Sequence, residues 1–156
     1  MKILKVASSI LLLLAAAFVW LAPIGPAPGF FIGGTESVAP ESWGETSDIH
    51  EIRLKVDNGL LPRVVIIWVV QVENHLYIVG SRESGWVSMI GQGGPVQMRM
   101  GSSTYRMNAS PVTVNWQLIL ERYQDKYRPD YPDIVGGFPS IEEAVDTIAV
   151  FKLTAL

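Results

Sequence analysis

The run Arg63–Val72, RVVIIWVVQV, constrains the fold more than any other part of the chain. It is almost wholly apolar and rich in β-branched residues, whose side chains pack well on a pleated surface. A strand with no polar face must lie centrally in a sheet that is covered on both sides. Glu73-Asn74 then makes a tight turn into His75–Gly80 (HLYIVG), expected to be its antiparallel partner. Upstream, Ile49, Glu51, Arg53, Lys55 and Asp57 alternate with His50, Ile52, Leu54 and Val56, an amphipathic strand with one imperfect start. Asn58-Gly59 marks the turn that follows it.

Beyond this meander the period changes twice. In Ser81–Gly94 (SRESGWVSMIGQGG), Trp86, Met89 and Ile90 recur at helical spacing, so a short helix is expected, stopped by Gly91. Val96–Met100 and Thr104–Ala109 flank Gly101-Ser102-Ser103 as a hairpin. From about Asn115, Trp116, Ile119, Leu120, Tyr123 and Tyr127 fall on one helical stripe, which Arg128-Pro129 ends. A polar loop and a short turn around Ser140–Val145 lead to a last strand, Thr147–Leu153. The pattern βββ-α-ββ-α-β, with hairpin connections, suits a mainly antiparallel six-stranded β-barrel with two or three helices, which hides its sheet edges by closure.

The N-terminal segment is of another kind. After Lys2 and Lys5, Val6 to Ala22 has only Ser8 and Ser9 as polar members. Seventeen helical residues span about 25 Å, and adding Pro23 and Ile24 brings this near a hydrocarbon core of about 30 Å. The expectation is a single transmembrane signal anchor through residues 6–24. The lysines then stay cytoplasmic and the domain is extracytoplasmic, periplasmic in a bacterium. A cleaved signal peptide is the rival reading, with Ala15-Ala16-Ala17 as the cleavage site and a secreted product. Against it, Phe18-Val19-Trp20-Leu21 continue the apolar run past the cut. A buried core helix fits less well, because the segment is apolar on every face. The chain thus divides into an anchor (1–25), a Pro/Gly-rich linker (26–47) and a barrel domain (48–156). Within the linker, Phe30-Phe31-Ile32 and Trp43 are expected either at the membrane interface or packed on the domain.

Charge and composition exclude several functions. Two of the twelve basic residues belong to the leader, leaving ten against fifteen acids. That balance argues against nucleic-acid binding, which needs a basic surface, and against direct affinity of the domain for anionic lipid. There is no cysteine, so disulfides, thiolate metal sites and cysteine nucleophiles are excluded. His50 and His75 lie on separate strands, without the three or four converging ligands a metal needs. Ser81 or Ser84 with His50 and an aspartate lacks any nucleophile-elbow motif. Gly91-x-Gly93-Gly94 lacks the setting of a dinucleotide fingerprint and reads as a helix stop followed by a strand start. Asp125, Asp130 and Asp133 among Tyr123, Tyr127 and Tyr131 suggest a calcium or sugar site less well than a solvated helix end with tyrosines packed on the barrel. No catalytic residue can be assigned.

One segment does carry binding chemistry. Gly80-Ser81-Arg82-Glu83-Ser84-Gly85-Trp86 offers a guanidinium, two hydroxyls and several backbone N–H groups, the donors that hold a phosphate. The plainer reading pairs Arg82 with Glu83 or another surface acid.

The order of these features, YIVGSRESGWVSMIGQGGPVQMRMGSSTYRMNA, resembles the flavin-binding split barrels. These include the pyridoxamine-phosphate oxidase-like proteins and the deazaflavin-dependent nitroreductases. The tail from Tyr123 to the closing strand is similar to a further branch of that superfamily. The resemblance spans about residues 48–155. It implies a split barrel that forms a homodimer and binds FMN or a deazaflavin at the dimer interface. By position it implies that Ser81 and Arg82 hold the phosphate and that Gly85 and Trp86 lie at the helix entry. Arg63, Ile66 and Trp68 would then lie near the isoalloxazine ring. The function it implies is a membrane-anchored flavin protein, an oxidoreductase if catalytic. A cofactor-free barrel serving as an interaction module of the cell envelope is the alternative.

Overall fold

The computed structural model describes residues 2–21, 29–57 and 61–156; the Asn58-Gly59 turn and residues 22–24 of the expected anchor lie outside the described residues. The first element, α1 (Lys2–Leu21), is one helix of 20 residues. Its described side chains, Val6–Ala17, are exposed on every face. Among the described residues no helix is long and apolar enough to cross a membrane.

Seven strands follow among the described residues: β1 (Thr35–Ser37), β2 (Glu51–Val56), β3 (Arg63–Val72), β4 (His75–Ser81), β5 (Gly94–Met100), β6 (Ser103–Pro111) and β7 (Ile148–Ala155). They hydrogen-bond in the order β1-β6-β5-β2-β3-β4-β7, and β6 also pairs with β7. That last pairing closes β2–β7 into a six-stranded antiparallel barrel. β1 lies outside it, parallel to the first residues of β6. β6 can serve three neighbours because β1 takes Ser103–Tyr105 and β7 takes Met107–Pro111 along the same edge.

β3 runs through the middle of the sheet, as its composition requires. Val65, Ile67 and Val69 face the barrel interior with Ile52, Leu54, Val56, Leu76, Ile78, Met98, Met107 and Phe151. Its other face, with Trp68, Val70 and Val72, packs under α3 (Trp116–Tyr127). The expected stripe of α3 is buried at Ile119, Leu120, Tyr123 and Tyr127. The strand changes partners along its length. Arg63–Trp68 pair with β2 and Val69–Val72 pair with β4, so β3 and β4 part company beyond Val69↔Ile78. The short helix α2 (Gly85–Ile90) follows β4 beyond this split, with Trp86, Val87 and Ile90 in the barrel core and Gly91 as its stop.

Of the two placements expected for the linker aromatics, the packed one holds for Ile32 and Trp43, while β1 and two further helices were not expected. Gly29 bridges Val64, Ile32 is buried, Trp43 meets Tyr105 edge-on at 5.1 Å, and the segment supplies β1. Between the long helix and the last strand lie two helices, α4 (Pro132–Gly136) and α5 (Ile141–Thr147). α5 is set by a capping box in which Ser140 and Glu143 satisfy each other's backbone N–H groups. α4 is a single turn opened by Pro132, too short to leave an apolar period in the sequence.

Candidate functional site

The loop between β4 and α2 is built by close packing. At Gly80 the Trp86 indole lies so near the backbone that a Cβ would overlap it. Trp86 is itself buried, 6.2 Å from the Phe151 ring. Between Gly80 and Trp86 the chain turns at Arg82-Glu83, which leaves Ser81, Arg82, Glu83 and Gly85 exposed. The Ser81 hydroxyl accepts from the Glu83 N–H at 3.3 Å. The Arg82 N–H donates to the Thr147 carbonyl at 2.8 Å, and its guanidinium reaches the Val145 carbonyl at 3.4 Å. Arg82 therefore docks on the C-terminal carbonyls of α5, where a cation suits the helix dipole. Among the described residues it pairs with no acid.

A second guanidinium comes from β3. A Cβ on Gly85 would lie 2.9 Å from Arg63 Nη1, so the flexible end of the Arg63 side chain rests against the start of α2. Arg63 and Gly85, 22 positions apart, are thus brought together as neighbours. Ser81 and Arg82 belong to the same loop. The other expected contacts divide. Ile66 is half-buried on the outer face of β3, and Trp68, on the same face, stacks on Tyr127 at 4.1 Å and 10°. Trp86 is part of the core. The donors near the loop are those an anionic group requires; Glu83 is the one acid within it.

A second cluster, unforeseen as a unit, lies at the other end of β3. The β2/β3 ladder ends at Glu51↔Trp68, and Tyr127 takes the next position. Its hydroxyl lies 2.5 Å from the His50 carbonyl and 2.7 Å from that of Val69, and it accepts from the Val69 N–H at 2.9 Å. Beside it, the Lys126 Nζ donates to the carbonyls of Thr46, Ile49 and Val69 at 3.0, 2.7 and 3.0 Å. Three acceptors match the three donors of an ammonium. Burial pulls the Lys126 pKa below the usual lysine value, with Glu45 and Asp48 opposing it. Burial pushes the hydroxyls of Tyr123 and Tyr127 far above the ordinary tyrosine range.

Next to this plug is a cavity of about 610 Å³ bordered by Glu45, Thr46, His50, Gln71, Arg122 and Asp130, among others. His50 lies 3.6 Å from Asp130, a carboxylate 80 positions further along the chain. Most of the polar groups here are engaged with each other: Thr46 donates to Gln71 at 2.7 Å and Lys126 is saturated. No group of three potential metal ligands exists among the described residues. This cluster holds the segment before β2 to α3, with Tyr127 bonded through its hydroxyl and Tyr123 and Tyr131 packed beside it.

No protein-family model matches this sequence, and no curated protein matches it. Solved structures do. A candidate 5-nitroimidazole antibiotic resistance protein from Bacteroides thetaiotaomicron superposes with a TM-score of 0.50 at 15% identity, over 69% of this chain and 73% of that one. The FAD and heme binding protein from Mycobacterium smegmatis gives 0.50 at 16% identity, over 74% and 72%. A NimC/NimA family protein from Clostridium acetobutylicum gives 0.48 at 19%, over 68% and 74%. At such identities the likeness concerns the fold alone: this chain is a split β-barrel.

Proposed function

We propose that the protein binds a flavin, FMN or a deazaflavin, on the loop between β4 and α2. The observation that carries this reading is the pairing of Arg63 with Gly85, beside Ser81 and Arg82. Two guanidiniums and a hydroxyl border one surface loop in a domain that is acidic overall. A flavin phosphate is the anion that a split barrel of this kind suits, and one of the fold's relatives carries FAD in its name. Arg63, Ser81 and Arg82 would hold the phosphate. Ile66 would offer an apolar edge to the ring. A bound flavin supplies the electron chemistry, and the chain positions it and excludes water. A second copy of the barrel would supply the remaining wall, making the working unit a homodimer.

The 20-residue α1 supports membrane attachment on the same reading. The apolar run that follows Lys2 and Lys5 in it is the part that would meet the hydrocarbon core. The two lysines before the apolar run would leave the barrel on the extracytoplasmic side. Retention of the chain in the pellet after alkaline carbonate extraction is the expected outcome; release into the supernatant rejects the anchor.

Flavin titration of the full chain and its Arg63→Ala and Arg82→Ala variants tests the site. Binding should be lost in both variants. Equal affinity in all three would remove the phosphate assignment. The Arg82–Val145 contact favours the cofactor-free module, in which Arg82 only fastens α5. On that reading neither the parent nor the variants bind flavin, and Arg82→Ala lowers stability alone.

A further inference from the structure

The helix α5 (Ile141–Thr147) has little of its own to hold it. It is seven residues long, with Ala144 buried, Ile141 half-buried and the other five exposed. So short a helix is not stable by itself, and its ends decide whether it forms. The N-terminus is complete, with the Ser140 capping box and two acids, Glu142 and Glu143, in the first turn. The C-terminus is not. The last turn has no basic residue, and Asp146 sets a carboxylate at the negative end of the helix dipole.

The last carbonyls of a helix find no partner in its own ladder. Here the Ile148 N–H reaches back to the Ala144 carbonyl. Beyond it, Arg82 meets two more. Its backbone N–H donates to the Thr147 carbonyl at 2.8 Å, and its guanidinium donates to the Val145 carbonyl at 3.4 Å. The two bonds differ in permanence. The first continues the β4/β7 ladder just past Ser81↔Ile148 and is fixed by the sheet. The second is long, belongs to an exposed side chain, and can be given up.

The phosphate site described above needs that same guanidinium. A phosphate is repelled where the guanidinium now lies, because the carbonyl end of α5 and Asp146 are both negative. To hold the anion, Arg82 must turn from Val145 toward Arg63 at Gly85. We infer that Arg82 couples the site to α5: an anion bound on the β4–α2 loop takes the guanidinium from the C-terminus of α5 and loosens that helix. Occupancy of the site is then displayed on the outer surface as lost order in α5. The coupling rests on the flavin reading and gives that site an output. It is reciprocal, so whatever holds Arg82 on α5 weakens anion binding to the same degree.

Hydrogen–deuterium exchange of the full chain in non-ionic micelles, with and without saturating FMN, tests the coupling. With FMN bound, the amides of residues 144–148 should exchange about two- to fivefold faster, the range that one cation at a helix C-terminus supplies. Arg82→Ala without FMN should show the faster rate already. Val145→Lys, which gives α5 a cation of its own, should bind FMN and lose the increase. Exchange in α5 that is unchanged or slower with FMN bound overturns the coupling and leaves the site standing. So does an Arg82→Ala chain whose α5 exchanges like the parent's, or an undiminished increase in Val145→Lys. A parent chain that retains no flavin band through gel filtration refutes the flavin reading, and the coupling with it.

Discussion

Removing one oxygen from Tyr127 should cost more than its size suggests. In Tyr127→Phe the ring stays, and with it the stack on Trp68 at 4.1 Å. What is lost is the group that ends the β2/β3 ladder. The Val69 carbonyl keeps Lys126 as a donor at 3.0 Å, but the Val69 N–H, in a fully buried residue, loses its acceptor. The His50 carbonyl loses its partner as well. Leaving one buried donor unsatisfied costs about 1–3 kcal/mol, so the substitution should lower stability by about 2 kcal/mol. That is a large share of the roughly 5–15 kcal/mol of an ordinary domain. Urea unfolding of the full chain in non-ionic micelles, followed by near-ultraviolet circular dichroism, measures it. Tyr131→Phe is the control, since the Tyr131 ring joins the same cluster at 4.9 Å from Trp68 without a comparable hydroxyl role. It should change stability by less than about 0.5 kcal/mol. Equal effects of the two substitutions would refute the ladder-plug reasoning.

Two further outcomes follow from packing and titration. Gly80→Ala should destabilise by about 1–3 kcal/mol, because the added methyl overlaps Trp86 and must displace it from the core; a change within about 0.5 kcal/mol would show that the indole can shift freely. Tyr123 and Tyr127 have pKa values raised by burial, so the folded chain holds protons that the unfolded chain releases near pH 10. Their contribution is intact below that pH. Above it, stability should fall by about 1.4 kcal/mol per pH unit for each tyrosine, until folded-state ionisation or unfolding intervenes. Tyrosinate absorbance equal to all five tyrosines before the circular dichroism is lost would contradict their burial.

The parts of the fold legible in the sequence are those where burial imposes a period. β3 announced itself because both its faces are covered, and α3 because four apolar residues recur on one stripe. The stop at Gly91 was legible for a local reason, its φ of 55°. β1 was not, because Thr35-Glu36-Ser37 has no apolar pattern and is held by the β6 edge alone. The candidate site was legible in part. Ser81 and Arg82 stood out as donors in a glycine-flanked loop, whereas Arg63 was named only through the resemblance to split barrels, since nothing local links it to Gly85. The closeness of His50 to Asp130, and the use of Lys126 as a three-carbonyl clamp, arise where α3 meets the end of β2. Such contacts depend on tertiary docking, which no spacing in the chain encodes.

The central claim is that the barrel carries a flavin. Its most direct test is the visible absorbance spectrum of the purified full chain, before and after adding FMN and then a deazaflavin, followed by gel filtration. The account predicts a flavin band that migrates with the protein and is absent from the Arg63→Ala variant. A colourless chain that retains neither cofactor would contradict it.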